Sequence, residues 1–223
     1  LLIDPEFSLI APEYDLTMEE VPGVDGDVPI DNKRYKGVSR GIPVYVEPGR
    51  NLNQVADDVS NWLKTDVGWH ELTFSDNTGY VYNVIHYEQY DIQRLILQYA
   101  KAIIPFRFKP YKFYKEGLNE VPLTNGQTIN NIGSRPARPL LKVTGNGDMT
   151  ITIGGQQLEL QGVDNGIIID VLAKVAVNIN GRIPDWDKVY TYPFPTIPVG
   201  QSTISWTGTA TITMIPRWEA LLP

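Results

Sequence analysis

Cysteine is absent from this 223-residue chain. That excludes a disulfide framework and thiolate metal sites, and it fits manufacture in a reducing cytosol. Long apolar runs are missing too. The longest, Ile167 to Ala173, is broken by Asp170 and falls far short of the roughly 20 residues that cross a bilayer, so no membrane insertion is expected. Histidine is scarce: His70 stands beside Trp69 and His86 beside Tyr87, with no His-x-x-x-His or Cys pair to complete a metal site. Both read as ordinary strand or surface histidines, and neither metal nor cofactor is expected. The opening Leu1-Leu2-Ile3-Asp4 lacks the basic stretch that begins a secretory signal, and a start at Leu1 instead of Met implies residues upstream.

Positive charge is absent from residues 1 to 32, which hold nine acids: Asp4, Glu6, Glu13, Asp15, Glu19, Glu20, Asp25, Asp27 and Asp31. Residues 92 to 115 are the converse, with six bases (Arg94, Lys101, Arg107, Lys109, Lys112, Lys115) and no acid. Such complementary blocks can meet within one subunit or between neighbours, or can be two solvated faces. A net charge of -7 and an isoelectric point near 4.9 argue against a nucleic-acid binder, which needs a basic face to displace phosphate counterions.

What is present describes a β-rich globular protein. The 42% hydrophobic and 20% charged residues indicate neither disorder nor a fibrous repeat, and 25.1 kDa suffices for one large β domain or two smaller ones. The 19 glycines and 17 prolines imply many turns. After Pro48 and Gly49, apolar residues at Leu52, Val55, Ala56, Val59, Trp62 and Leu63 predict one helix over 51–64, with Asn51 as N-cap, Asp57 and Asp58 facing water and the apolar set forming a buried stripe. Ile92 to Ala100 fits helix and strand equally.

Elsewhere the pattern is strand and turn. Leu72 to Phe74 and Tyr80 to Val84 flank a polar loop, Ser75 to Gly79, and read as a hairpin. Ile103 to Tyr114 is a long extended run in which Phe106 and Phe108 alternate with Arg107 and Lys109. Pro105 and Pro110 cannot donate to a ladder, so this strand is expected at an edge or broken by a bulge, open to pairing by another chain. A turn-rich passage from 116 to 138 places a domain boundary near 120, giving domains 1–120 and 121–223. Beyond it, strands are expected at Leu140 to Thr144, Met149 to Ile153, Leu158 to Gln161, Ile167 to Val171, Ser202 to Trp206 and Thr209 to Ile215. The intervening Gly145-Asn146-Gly147, Gly154-Gly155 and Asp164-Asn165-Gly166 are hairpin turns, the pattern of an antiparallel sandwich.

Catalytic signatures are lacking. There is no Gly-x-Ser-x-Gly elbow, since Ser134 follows Gly133 but precedes Arg135, and the glycine turns lack the features of phosphate or calcium loops. Asp185 and Asp187 flank Trp186; in an extended segment they would share a face, which makes them the best carboxylate pair for a glycosidase. Acids beside an exposed aromatic are commonplace, and no enzyme is expected. Trp186, Trp206 and Trp218 could stack on sugar rings; Trp206 shares the face of Ile204 and belongs to the core, leaving Trp186 as the candidate glycan contact.

Several stretches stand out in order along the chain: Val21-Pro22-Gly23-Val24-Asp25-Gly26-Asp27; Phe106-Arg107-Phe108-Lys109-Pro110-Tyr111-Lys112-Phe113-Tyr114; and Ala137-Arg138-Pro139-Leu140-Leu141-Lys142-Val143-Thr144-Gly145. The series closes with Phe194-Pro195, Pro198-Val199-Gly200, Ile204-Ser205-Trp206-Thr207-Gly208 and Ile215-Pro216-Arg217-Trp218. Together they resemble the distal tail protein (Dit) family of phages with long, non-contractile tails that infect Gram-positive bacteria, with Val24 where the family has arginine. The resemblance implies a mainly β fold: an N-terminal β-sandwich with one helix and a protruding hairpin, then a galectin-like sandwich. It further implies a homo-hexameric ring in the virion tail tip, made in the host bacterial cytoplasm. Such a ring contacts the tail tube protein on one side and the tail-tip hub or lysin protein on the other, and serves as a docking platform for receptor-binding proteins. Candidate assembly residues are Arg107, Lys109, Lys112, Asp25 and Asp27, and a ring of acidic copies could present a DNA-repelling lumen. The rival reading is a carbohydrate-binding module that recognises host cell-wall glycans.

Overall fold

The helix forms where the apolar spacing predicts it. In a computed structural model that describes residues 2–4, 7–8, 10–46, 49–96 and 99–223, helix α1 runs over Leu52–Lys64. The Asn51 side chain accepts from the backbone N–H groups of Asn53 at 3.0 Å and Gln54 at 3.3 Å, satisfying two donors that the first turn leaves unpaired. Val59 and Leu63 are buried and Asp57 and Asp58 face water, but Trp62, expected in the same stripe, is 60% exposed. It lies on the flank of the apolar stripe and lines a cleft instead of the core. Leu1, Glu6 of the acidic block and Pro48 ahead of the helix lie outside the described residues.

The chain divides into two compact units, one of residues Leu1–Phe74, Tyr82–Lys112 and Leu221–Pro223, the other of Ser75–Val81 and Phe113–Ala220. The first begins with β1 (Leu2–Ile3), then a hairpin of β2 (Tyr14–Glu20) and β3 (Asp27–Tyr35), then β4 (Val38–Tyr45) and α1. It continues through β5 (His70–Phe74), β6 (Asn77–Ile85, of which 82–85 belong to this unit), β7 (Ile92–Ile96) and β8 (Tyr99–Tyr114, of which 99–112 belong to it). The central sheet has the order β1-β4-β8-β6-β5, with β7 also pairing β8, while β2 and β3 form a separate two-stranded sheet. The ambiguous stretch from Ile92 is therefore strand, its residues 97 and 98 lying outside the description. The loop expected at 75–79 is shorter, because Asn77 already begins β6.

One expectation is overturned. The Pro-containing run at 103–114 is a central strand, paired by β4 on one side and β6 on the other. Pro105 is tolerated because β6 ends at Ile85, so no ladder bond there requires the N–H that proline lacks, and the His86 ring Nδ1 donates to the Pro105 carbonyl at 2.7 Å. The alternation reads correctly. Phe106, Phe108 and Ile104 are buried, as is Ile42, the cross-strand partner of Ile104, while Arg107 and Lys109 face solvent.

The second unit is a two-layer sandwich. Its strands are β9 (Val121–Pro122), β10 (Gln127–Asn131), β11 (Leu140–Gly145), β12 (Gly147–Ile153), β13 (Gln156–Val163), β14 (Ile167–Asp170), β15 (Val175–Asn178), β16 (Gly200–Trp206) and β17 (Ala210–Ile215); β18 (Glu219–Leu221) follows outside the sandwich and pairs β8. One sheet has the order β10-β16-β12-β13 and the other β15-β14-β11-β17-β9. Strict alternation sends Met149, Ile151, Ile153, Leu158, Leu160 and Ile204 of the first against Leu141, Val143, Ile167, Ile169, Ile212 and Met214 of the second. The turns follow their chemistry: Gly154 and Gly155 (φ 54° and 84°) join β12 to β13 in left-handed conformations that glycine adopts freely.

The closing segment Arg217-Trp218-Glu219 draws distant parts of this unit together. Arg217 grips Asp170 at the end of β14 through two bonds of 2.6 and 3.0 Å, and Arg138 grips the buried Glu219 through two of 3.1 and 2.6 Å. Between them the buried Trp218 lies on Gly117, whose missing side chain is what allows the contact: a Cβ there would meet Trp218 atoms at 2.7 Å. The backbone completes the joint, with Arg217 N–H donating to Gly117 O at 2.6 Å and Tyr114 N–H to Trp218 O at 2.9 Å. Burial by itself would raise the Asp170 pKa, but the Arg217 hydrogen bonds and charge, with the backbone N–H groups of Ala173 and Leu172, outweigh it and hold the carboxyl below its ordinary value.

Two outcomes follow for this joint. Gly117→Ala is expected to cost about 1–3 kcal/mol by forcing Trp218 aside, read from denaturant unfolding. Because the folded pKa of Asp170 lies below its unfolded value, its stabilisation is complete above about pH 4 and is lost as pH falls through the folded pKa. Asp170→Asn should therefore be less stable at pH 7 by roughly 2 kcal/mol and show a shallower acid slope below about pH 4. An unchanged slope in thermal melts across this range would exclude the role assigned to Asp170.

Candidate functional site

Among the described residues no group of three or more His, Cys, Asp or Glu is placed to hold a metal ion. His70 and His86 line one cleft of about 350 Å³ with Trp62, Glu71 and Phe106. His86 spends its Nδ1 proton on Pro105 and packs between Tyr90 and Phe106, while its Nε2 is buried without a hydrogen-bond partner among the described residues. His70 Nε2 lies 3.9 Å from Asp66 in an exposed i,i+4 pair.

The feature that stands out in this unit is the β2-β3 hairpin. Its register puts Leu16 and Met18 on one face and Val28 and Ile30 on the other, and all four are exposed, because among the described residues the two strands form a sheet of their own. Its base is secured by Asp15, which accepts from Arg34 Nε at 2.6 Å and from Asn32 Nδ2 at 3.3 Å, and by Lys36 bound to Glu13 at 3.0 Å. The Arg34 hydrogen bond, assisted by Asn32 and the Arg34 and Lys36 charges, holds the Asp15 carboxyl below its ordinary range against burial. At the far end the chain reverses over Gly23 and Gly26, with φ of 87° and 81°. Seven residues of β2 carry that turn roughly 20 Å from the base.

The tip concentrates charge of one sign. Glu20 and Asp27 are direct cross-strand partners, an arrangement that is repulsive, and Asp25 stands in the turn between them. Of the predicted assembly residues, Asp25 and Asp27 are thus brought together. Arg107 and Lys109 lie two apart on the solvent face of β8, where the Lys109 ammonium sits 4.8 Å from the centre of the Trp69 ring. Lys112 follows on the same strand and is half-buried.

In the second unit Asp185 and Asp187 do not share a strand face. Trp186–Lys188 is a 3₁₀ turn, and Asp187 is paired with Lys188 at 3.1 Å, so the alternation that supported a carboxylate pair is absent. Trp186 itself is 41% exposed, as expected of a candidate contact, but two partners of this tryptophan escaped sequence reasoning. Its ring stacks on Phe194, with centroids 5.2 Å apart and planes 13° from parallel, and Tyr192 meets both rings edge-on at 6.2 and 5.8 Å. The run Tyr190, Tyr192, Phe194 was a usable signal: aromatics two apart in an extended segment share a side. Trp206 and Trp218 pack with the core, and Trp206 Nε1 donates to Ala210 O at 3.2 Å.

No protein-family model matches the chain, and no curated protein matches it. A solved structure does. The Dit protein of phage SPP1, described as a paradigm of the hub adsorption apparatus in phages infecting Gram-positive bacteria, superposes with a TM-score of 0.64. The match covers 92% of this chain and 88% of that one at 15% identity, so the chain has that fold across both units.

The hairpin's isolation makes its base measurable. Asp15→Ala should speed amide hydrogen exchange along 14–35 while leaving the β11-β14 amides of the sandwich unchanged; equal acceleration of both would mean that the clamp is not local.

Proposed function

We propose that this chain is a structural subunit of a phage tail tip. On this reading it forms a hexameric ring that joins the tail tube to the tail-tip hub protein and offers a docking platform for adhesion proteins. The observation that carries the reading is the shared fold, which extends in order over 92% of the chain to a phage hub-apparatus protein. The second unit then takes the part of the galectin-like sandwich.

Charge placement says how neighbours would meet. Five acids and no base lie between residues 16 and 31, and the repulsion between Glu20 and Asp27 is relieved when a cation approaches. The solvent face of β8 supplies such cations through Arg107 and Lys109. Because β8 is already paired on both edges, assembly through it uses side chains, and the extended hairpin tip of one subunit reaching the β8 face of the next is the contact that fits both surfaces. The hydrophobic side chains left bare on the hairpin would be covered at the same time.

Light scattering of the purified chain should give a mass near six times 25.1 kDa, with rings in negative-stain images. Asp25→Lys with Asp27→Lys should weaken the ring roughly fivefold for each exposed pair lost, at about 1 kcal/mol per pair. Adding Arg107→Glu and Lys109→Glu should restore it. A chain that stays monomeric at every concentration tested, or a charge swap without rescue, would rule out this contact.

A further inference from the structure

We infer that Trp186, Tyr192 and Phe194 form a preformed stacking site for a neutral pyranose carbohydrate on the second unit. The inference does not rest on the hub reading. Phe194 is only 6% exposed and belongs to the sandwich core, so it is a fixed floor. Trp186 lies flat on it, which covers one face of the indole, and the residue remains 41% exposed. Tyr192, 62% exposed, stands edge-on to both rings and prevents the indole from tipping.

The backbone around the platform is held from both ends. Asp185 N–H donates to Ala176 O at 3.0 Å, and Tyr190 N–H donates to Glu159 O at 2.9 Å. The Thr191 hydroxyl accepts from Glu159 N–H at 3.0 Å, so the segment is stitched to β15 on one side and β13 on the other. Little conformational entropy remains to be lost when a ligand arrives.

An aromatic face is electron-rich and attracts the weakly positive C–H groups that line one face of a pyranose ring. The exposed Asp187, next in the chain to Trp186, and the exposed Tyr192 are suited to the hydroxyls at the ring edge. Charge selects among sugars. The one cation adjoining Trp186 in the 3₁₀ turn, Lys188, is bound to Asp187, and the chain carries -7, so neutral hexopyranoses and N-acetylhexosamines are favoured over uronic acids.

The test is an array of neutral hexose and N-acetylhexosamine oligosaccharides with polyuronates alongside, followed by tryptophan-fluorescence titration of the full chain with each neutral oligosaccharide bound. Wild type should bind at least one neutral oligosaccharide. Trp186→Ala should weaken that binding at least tenfold, Tyr192→Ala by less, and Trp186→Phe should keep part of it. Trp62→Ala, which removes an exposed indole from the other unit, should leave it unchanged. Circular dichroism checks that each variant is folded. No neutral oligosaccharide bound, undiminished binding in Trp186→Ala, or polyuronates bound equally well would each overturn the proposal. The mass of the same samples reads the ring separately, so a monomer that binds sugar rejects only the hub reading.

Discussion

A pair of arginine forks fixes the closing segment to the end of β14 and to the stretch leading into β11. Arg217 on Asp170 and Arg138 on Glu219 are bidentate, so each fixes direction as well as distance, and they bracket Trp218 from its two sequence neighbours. The tryptophan reaches its seat only because residue 117 has no side chain. Through three consecutive residues the end of the chain is thereby tied to Tyr114, Gly117, Arg138 and Asp170, segments more than fifty residues apart at the extremes. Charged groups are costly to remove from water unless they are paired, and here both carboxylate oxygens of Asp170 and of Glu219 accept from a guanidinium.

The contrast with the β2-β3 hairpin is one of boundary conditions. Every strand of the sandwich has a facing layer, so each alternating aliphatic finds a partner and the two sheets stiffen one another. The hairpin has the same alternation but no facing layer, and its stability comes from the polar clamp at Asp15, Arg34 and Lys36. A stiff sandwich that presents a fixed aromatic face, and an extended arm with bare apolar residues and an acidic tip, suit different kinds of partner. The first is preorganised for a small rigid ligand; the second needs a neighbour to cover it.

Much of the second unit was readable before any coordinates. Strands expected at Met149 to Ile153 or Ile167 to Val171 lie within a residue or two of those found, because strong alternation between glycine turns leaves few other solutions. The errors have physical causes. Trp62 carries the right spacing for burial, yet whether a flank position is covered depends on what packs beside the helix, which local periodicity does not contain. The β8 prolines argue for an edge on hydrogen-bonding grounds, but β6 ends before it would need the N–H that Pro105 lacks, and the Pro105 carbonyl is satisfied by the His86 side chain, nineteen residues away in sequence. The Trp186 stack escaped for the same reason: Phe194 is eight residues on, beyond a turn, and only folding lays one ring on the other.

The sequence by itself determined the class of the fold, the single helix with its Asn51 cap, the turns, the alternating cores and the segregation of charge, since these follow from short-range sterics and the period of the side chains. Its last apolar segment, ending in Arg217 and Trp218, could be read as a strand stop with a packing residue. Which strand became central, where Arg217 found its carboxylate, that the hairpin stands uncovered and that an exposed indole is stacked on Phe194 were decided only by tertiary structure. Those outcomes depend on which distant groups meet, and the free energy of such a meeting belongs to the pair and not to either residue.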